Sequence, residues 1–130
     1  DGGQTRSFCH VADAAEGLLR LARGLCGGAG WPHRLYNLGS DREVPLLSLA
    51  ERVRDLLAPG AEIRCSGSRP APGRSGLDPR RRAPGLGRLQ ADLGWRPTLD
   101  LDAIIIDLAA WLRRRASVAH PGAGASRVAR

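Results

Sequence analysis

Apolar residues recur along this chain in two ways. Alternation at every second position predicts short strands, and steps of three and four residues predict longer helices. Residues Thr5–Val11 alternate between two faces, as in a half-buried strand. Asp13 stands where a helix N-cap is expected, and leucines and alanines then recur at steps of three and four residues until the glycines of 24–28. A second helix is predicted over Leu46–Leu57, and Pro45 suits its first turn because an N–H group is not needed there.

Two more strands and two more helices are expected in the rest of the chain. Leu35–Gly39 and Glu62–Cys65 are short segments bounded by turn-forming residues, which is typical of strands. The segment Leu86–Gly94 predicts a short helix that stops at its glycine. A final helix is expected to follow, with either Asp100 or Thr98 as its N-cap.

Two segments have no apolar period. Residues 66–84 are rich in proline, glycine, serine and arginine, and they predict a long loop. Residues 116–130 are small, polar and basic, and they predict a disordered basic tail. Short strands with about four helices therefore predict a mixed α/β fragment (α+β in its layout) over residues 1–115. Because the chain opens without methionine, we expect it to be part of a longer protein.

The positive charge of the chain comes from one residue type. All 20 basic residues are arginine, lysine is absent, and the net charge is +7. A basic chain favours nucleic-acid binding as a hypothesis. The arginines are scattered, however, and aromatic residues make up only 4% of the chain, so the sequence does not supply a stacking platform for bases. We therefore do not expect nucleic acid to be the partner.

Other function classes are disfavoured by what the sequence contains. No apolar run reaches the roughly 20 residues of a membrane helix, so we expect no membrane span. Cys9, Cys26 and Cys65 form no C-x-x-C pair, which is typical of free thiols in a reducing cytoplasm. The three histidines lack ligand spacing, so no metal site is expected.

Several motifs occur in an order that resembles a known enzyme family. Gln4–Asp13 reads Q-T-R-S-F-x-x-V-x-D, Leu35–Gly39 contains N-L-G, and Leu93–Pro97 reads L-G-W-x-P. Asp78–Gly85 is similar to a D-P-x-x-R-x-P-D element. Together these motifs resemble the C-terminal part of extended short-chain dehydrogenases, the NAD-dependent sugar-nucleotide epimerases, dehydratases and decarboxylases. Within that family, the motifs are most similar to those of UDP-glucuronate decarboxylases and dTDP-glucose 4,6-dehydratases.

The resemblance implies a substrate site for a UDP- or dTDP-sugar. It implies that Arg6 and Arg82 grip the diphosphate, so we expect their guanidinium groups to converge on one anionic ligand. Gln4 and Asn37 are further substrate-binding candidates, although a turn would also explain Asn37. Gly85 stands where many family members have an acid. The family further implies a preceding N-terminal Rossmann domain, NAD as cofactor, and a homodimer.

The catalytic chemistry of that family is not expected within these residues. A nicotinamide cofactor needs a glycine-rich turn after a strand, whereas Gly27–Gly30 follows a predicted helix. The family's Tyr-x-x-x-Lys pair is impossible because Tyr36 is the only tyrosine and there is no lysine. Cys9 and His10 point to opposite faces of a strand, which disfavours a nucleophile pair. We therefore expect no catalytic residue and no cofactor binding by this chain alone.

Three interpretations stay open. The chain is the nucleotide-sugar-binding portion of such an enzyme, or a non-catalytic protein that keeps only the fold or the binding surface, or an arginine-rich nucleic-acid binder. On charge alone, Arg80–Arg82 would be interpreted as a solvated basic loop. The motif order favours the first interpretation.

Overall fold

Seven elements follow one another in the part of the chain that the structure, a computed structural model, describes: residues 2–28, 30–65 and 79–119. Three are short strands and four are helices, as the mixed α/β prediction requires. Their bounds are β1 Thr5–Ser7, α1 Val11–Cys26, β2 Glu43–Pro45, α2 Leu46–Leu57, β3 Arg81–Arg82, α3 Gly87–Leu93 and α4 Leu101–Ala119.

The three strands form one small sheet in the order β2-β1-β3. The central strand β1 pairs antiparallel with β2, and Arg6 lies opposite Val44. On its other edge β1 pairs parallel with β3, and Arg6 lies opposite Arg82. The sheet therefore joins a segment near the start of the chain to one that follows about 75 residues later.

The first strand and the first helix are both displaced from their predicted bounds. β1 ends at Ser7, and α1 begins at Val11 with His10 as its N-cap, whose Nδ1 accepts from the N–H of Ala12 at 3.1 Å. The prediction of Asp13 as the cap is wrong. Asp13 lies inside the first turn, where its carboxylate is already bonded to a distant segment and cannot cap this helix.

Two predicted strands are not formed among the described residues. Leu35–Gly39 exchanges no strand ladder with another described segment, and it is instead held by the Asn37 side chain and by Arg88, which donates to the Leu35 carbonyl at 3.3 Å. The segment of residues 61–65 is mostly exposed, and its Arg64 bonds locally to Glu62. A strand needs a neighbour to satisfy its backbone groups, and neither segment has one here. Conversely, β2 and β3 were not predicted, because strands of two or three residues show no alternation.

The predictions for the other three helices agree with the structure except at one end. α2 has the predicted bounds, and the carbonyls of Gln4 and Gly2 accept from its first two N–H groups at 3.0 Å, which replaces a serine or threonine cap. α3 stops at Gly94, whose φ of 61° is the left-handed conformation that glycine adopts readily. Asp100 caps α4 by accepting from the Ala103 N–H at 2.9 Å.

The last helix runs to Ala119 and so includes the first four residues of the predicted tail, which begins at Ala116. Its pattern of leucines and isoleucines stops earlier, but alanine and arginine are strong helix formers and continue it. The remainder of the predicted disordered tail, residues 120–130, lies outside the described residues, as does most of the predicted loop of residues 66–84.

A small core holds the helices around the predicted packing residue Trp95. Trp95, Leu89 and Leu86 are buried together, and Cys9, Leu21, Tyr36, Leu38 and Leu93 pack against them. A Cβ atom on Gly17 would lie 2.6 Å from Leu38 Cδ1 and 3.0 Å from Trp95 Cε2, so α1 approaches this core through a glycine. No helix in the described part of the chain is both long and apolar enough to cross a membrane.

Candidate functional site

The two arginines predicted to share a ligand lie on neighbouring strands. In the parallel pair of β1 and β3, Arg6 is in register with Arg82 and Thr5 is in register with Arg81. Residues in register on paired strands project from the same face of a sheet, and successive residues project from opposite faces. Arg6 and Arg82 therefore share one face, and Thr5 and Arg81 share the other.

Backbone contacts orient the first of these arginines. Nη1 of Arg6 donates to the carbonyl of Thr5 at 2.7 Å and to the carbonyl of Pro79 at 3.0 Å. The second arginine, Arg82, is exposed, and within the described residues its guanidinium group has no hydrogen-bond or ion-pair partner. Like charges directly opposite each other on paired strands destabilise a sheet. The convergence of the two guanidinium groups on one anionic ligand stays a prediction.

The opposite face of the same sheet is neutralised by one carboxylate. Glu43 Oε1 accepts from Nε of Arg81 at 2.7 Å, and Glu43 Oε2 accepts from the hydroxyl of Thr5 at 2.7 Å. The hydrogen bond from Arg81 and then that from Thr5 hold the pKa of Glu43 below its usual range. Of the two register pairs that β1 forms with β3, the one containing Arg81 thus has an internal counter-charge.

The other two predicted substrate-binding residues, Gln4 and Asn37, form hydrogen bonds with other parts of the fold. Gln4 precedes β1, is half-buried, and offers its backbone carbonyl to the N–H of Leu46. The side-chain amide of Asn37 donates to the carbonyl of Gly85 at 3.1 Å. Asn37 therefore fixes the turn after β3, and its binding role, like that of Gln4, stays a prediction.

A buried carboxylate that was predicted only as a helix cap instead links α1 to the residues that precede α4. Asp13 is 4% exposed, and its two oxygens accept from the N–H of Thr98 at 3.1 Å, the N–H of Leu99 at 3.0 Å and the hydroxyl of Thr98 at 2.9 Å. Burial would raise the pKa of Asp13, but these hydrogen bonds outweigh it and lower the pKa. An aspartate on an otherwise apolar stretch was the only sequence signal for this role.

Comparison with known proteins agrees with the motif order. No family model matches the chain. It is 38% identical over 100 residues to UDP-glucuronic acid decarboxylase 6 of Arabidopsis thaliana, and the match covers 77% of the chain and 26% of that protein. It is 29% identical over 101 residues to UDP-glucuronic acid decarboxylase 1 of Xenopus tropicalis, covering 78% of the chain and 21% of that protein.

The fold is shared with solved structures of related enzymes. A crystal structure of UDP-galactose 4-epimerase superposes with a TM-score of 0.65 at 26% identity, covering 84% of this chain and 35% of that one. The Bordetella bronchiseptica enzyme WbmF, solved with NADH, gives a TM-score of 0.67 at 24% identity, covering 93% of this chain and 33% of that one, and shows the fold alone. In sequence and in fold, the chain is similar to a segment of enzymes of the extended short-chain dehydrogenase type. It spans about a quarter of the length of the curated relatives it matches.

The residues of this chain do not fit the nicotinamide cofactor of the enzymes that it resembles. Gly27 and Gly28 form the turn that ends α1, whereas a cofactor cradle needs glycines between a strand and a helix. The hydroxyl of Tyr36, the only tyrosine, donates to Asp92 at 2.7 Å, and the sequence contains no lysine to pair with it. No step of the family's redox chemistry can therefore be assigned to these residues.

Other reactive side chains in this segment are engaged elsewhere. His10 uses Nδ1 to cap α1, and its Nε2 lies 3.2 Å from Asp107, so neither ring nitrogen is directed at Cys9. Burial raises the pKa of the Cys9 thiol, and the charge of Asp13 raises it further, which disfavours the reactive thiolate. Among the described residues no group of histidine, cysteine and acidic side chains could hold a metal ion.

Proposed function

We propose that this chain is the substrate-binding segment of an NAD-dependent nucleotide-sugar enzyme, and that Arg6 and Arg82 hold the diphosphate of a UDP-sugar. The observation that carries the proposal is the register of the parallel strands, in which Arg6 lies opposite Arg82. The same proposal includes a lyase reaction of the decarboxylase type, a cytoplasmic location and a homodimer. The relatives of this chain are named UDP-glucuronic acid decarboxylases, and these names favour a UDP-sugar over a dTDP-sugar as the ligand.

The charges at this face suit a diphosphate better than a single carboxylate. Two guanidinium groups on adjacent strands offer two planar forks, spaced by the roughly 5 Å between neighbouring strands. A diphosphate has two phosphoryl groups joined by one oxygen, so each group can bind one fork. The ligand would also remove the repulsion between Arg6 and Arg82, which no described side chain offsets on the Arg82 side.

A second candidate follows from one observation at the same site. Gly85 stands where the resemblance predicts an acidic residue, and its carbonyl accepts a hydrogen bond from the side chain of Asn37. A protein that keeps the fold of the family without the ligand would tolerate this replacement. Binding measurements distinguish the two candidates directly.

The test is a titration of the purified chain with UDP, UMP and uridine, followed by calorimetry or NMR shifts. We expect UDP to bind more tightly than UMP, and UMP more tightly than uridine, because each phosphoryl group adds charge-assisted hydrogen bonds. Arg6→Ala and Arg82→Ala should each weaken UDP binding about tenfold or more, since such a bond contributes about 1.5–3 kcal/mol and 1.4 kcal/mol is tenfold.

Arg114→Ala is the matched control, because Arg114 is an exposed arginine on α4 and its loss changes the net charge equally. UDP affinity should be unchanged in this variant. Equal losses in all three variants would mean that UDP responds only to the net charge of +7. That result, or the absence of UDP binding, would refute the diphosphate site and favour the protein that keeps only the fold.

A further inference from the structure

The strand that presents Arg82 is held to the sheet by few contacts. β3 has only two residues, Arg81 and Arg82, and both are exposed. The N–H of Thr5 donates to the carbonyl of Arg80 at 2.8 Å, and Arg6 donates to the carbonyl of Pro79 at 3.0 Å. Because β3 forms only two register pairs with β1, side-chain contacts help to fix its orientation about its own axis.

One carboxylate from the far edge of the sheet supplies such contacts. Glu43 lies on β2, and Arg81 lies on β3, so the ion pair between them crosses the central strand. The Arg81 guanidinium approaches Glu43 Oε1 through Nη2 at 2.5 Å as well as through Nε, and Thr5 of β1 donates to the other oxygen. All three strands are thus tied to a single side chain. The Glu43 side chain is 21% exposed, whereas the side chain of its partner Arg81 is 79% exposed.

Fixing Arg81 on one face fixes Arg82 on the other. Because successive strand residues project from opposite faces, the position of the Arg81 side chain sets the rotation of β3 and hence the direction of Arg82. We infer that Glu43 is a positioning residue for the anion site: by binding Arg81 and Thr5 on one face of the sheet, it holds Arg82 beside Arg6 on the other. This inference rests on the diphosphate site proposed above.

The sign of the effect separates positioning from simple electrostatics. Removing the Glu43 charge makes the sheet more positive, and on charge alone a diphosphate would then bind more tightly. If Glu43 positions Arg82, removing its charge weakens UDP binding despite the more favourable field. The two explanations therefore predict opposite changes for one substitution.

The experiment compares Glu43→Gln with Glu62→Gln in the full chain, with UDP as the probe and uridine as the reference ligand. Glu62 also pairs with an arginine, Arg64, at 2.7 Å, but it lies in an exposed segment outside the three-stranded sheet, so the charge change is matched. Glu43→Gln should weaken UDP binding about threefold, a size set by the exposure of its arginine partner, and leave uridine binding unchanged. The Thr5 amide should exchange with solvent faster in this variant, because it is bonded to the strand that is released.

Each outcome decides the inference. Weaker UDP binding in Glu43→Gln alone, with faster exchange of the Thr5 amide, supports it. Unchanged or tighter UDP binding overturns the inference while leaving the diphosphate site in place. Equal loss of UDP and uridine binding overturns it as well, because the substitution then acts on the whole fold. If the unmodified chain does not bind UDP, the proposed function fails and the inference fails with it.

Discussion

Asp13 offers the sharpest test of how this segment is held together. Its carboxylate accepts three hydrogen bonds from Thr98 and Leu99, which lie about 85 residues away in the chain, and it is 4% exposed. These bonds fasten the start of α1 to the residues that lead into α4. We expect this contact to be one of the largest polar contributions to stability among the described residues.

The size of the contribution can be estimated from the number and type of bonds. A hydrogen bond to a charged group contributes about 1.5–3 kcal/mol, but Thr98 and Leu99 are themselves partly exposed, so water can replace part of what is lost. We expect Asp13→Ala to cost about 2–4 kcal/mol in the free energy of unfolding, and Asp13→Asn about 1–2 kcal/mol because an amide keeps the shape. Thr98→Val should cost about 1 kcal/mol, since it removes only the hydroxyl bond.

The contribution also has a defined dependence on pH. The pKa of Asp13 is lowered in the folded chain, so the ionised carboxylate is the form that the fold stabilises. Its contribution is complete above the unfolded-state pKa of about 3.9 and is lost as the pH falls through the lower folded-state value. The difference in stability between the unmodified chain and Asp13→Asn should therefore be largest near neutral pH and shrink below about pH 4.

Urea unfolding followed by tryptophan fluorescence measures these differences, because Trp95 is buried in the core and reports its exposure to water. Asp41→Asn is the control, since Asp41 is exposed, and this change should stay within about 0.5 kcal/mol. If Asp13→Asn were as stable as the control at neutral pH, or if its deficit grew on acidification, the assigned role of the carboxylate would be wrong.

Two further predictions concern packing. Gly17→Ala should lower the free energy of unfolding by about 1 kcal/mol, because the clash of its Cβ with Leu38 and Trp95 costs more than the gain in helix propensity. Gly87→Ala, which has open space around its Cβ, should not lower it, and a Gly17→Ala variant that is stabilised in thermal melts would contradict the packing. The chain should self-associate with rising concentration, because Leu18, Leu19 and Leu25 on α1 are 58%, 54% and 66% exposed. The double change Leu19→Gln and Leu25→Gln should reduce this association in sedimentation experiments, and a chain that is monomeric at all concentrations would refute the prediction.

Features encoded by neighbouring residues could be predicted from the sequence. α2 has the predicted bounds because its apolar period is complete over three turns, and Gly94 ends α3 because left-handed backbone favours glycine wherever the helix lies. Asp100 as a cap belongs to the same class, since its partner is three residues away. Such signals require no knowledge of the rest of the fold.

Features that depend on distant partners could not be predicted in this way. By residue type Asp13 is a preferred N-cap and His10 is not, and only the bonds from Thr98 and Leu99 to Asp13 explain why His10 has that role. The segment Leu35–Gly39 has the composition of a strand, but composition does not supply the neighbour that a strand needs. These errors arise because tertiary contacts override local preference.

The arginine pair shows both limits at one site. Arg6 and Arg82 could be selected from 20 arginines only through the motifs that resemble the family, because charge alone made Arg82 part of a basic loop. Their positions opposite each other depend on the register of a strand with two residues, which has no periodic signal of its own. A shift of that register by one residue would place Arg81 beside Arg6 and turn Arg82 to the face of Glu43. After such a shift Arg82 could pair with Glu43 in place of Arg81, so the ion pair alone does not select the register. The bonds from Thr5 to the carbonyl of Arg80 and from Arg6 to the carbonyl of Pro79 also belong to the observed register. The geometry of the proposed anion site therefore depends on these backbone contacts together with the contact between Glu43 and Arg81 on the reverse side of the sheet.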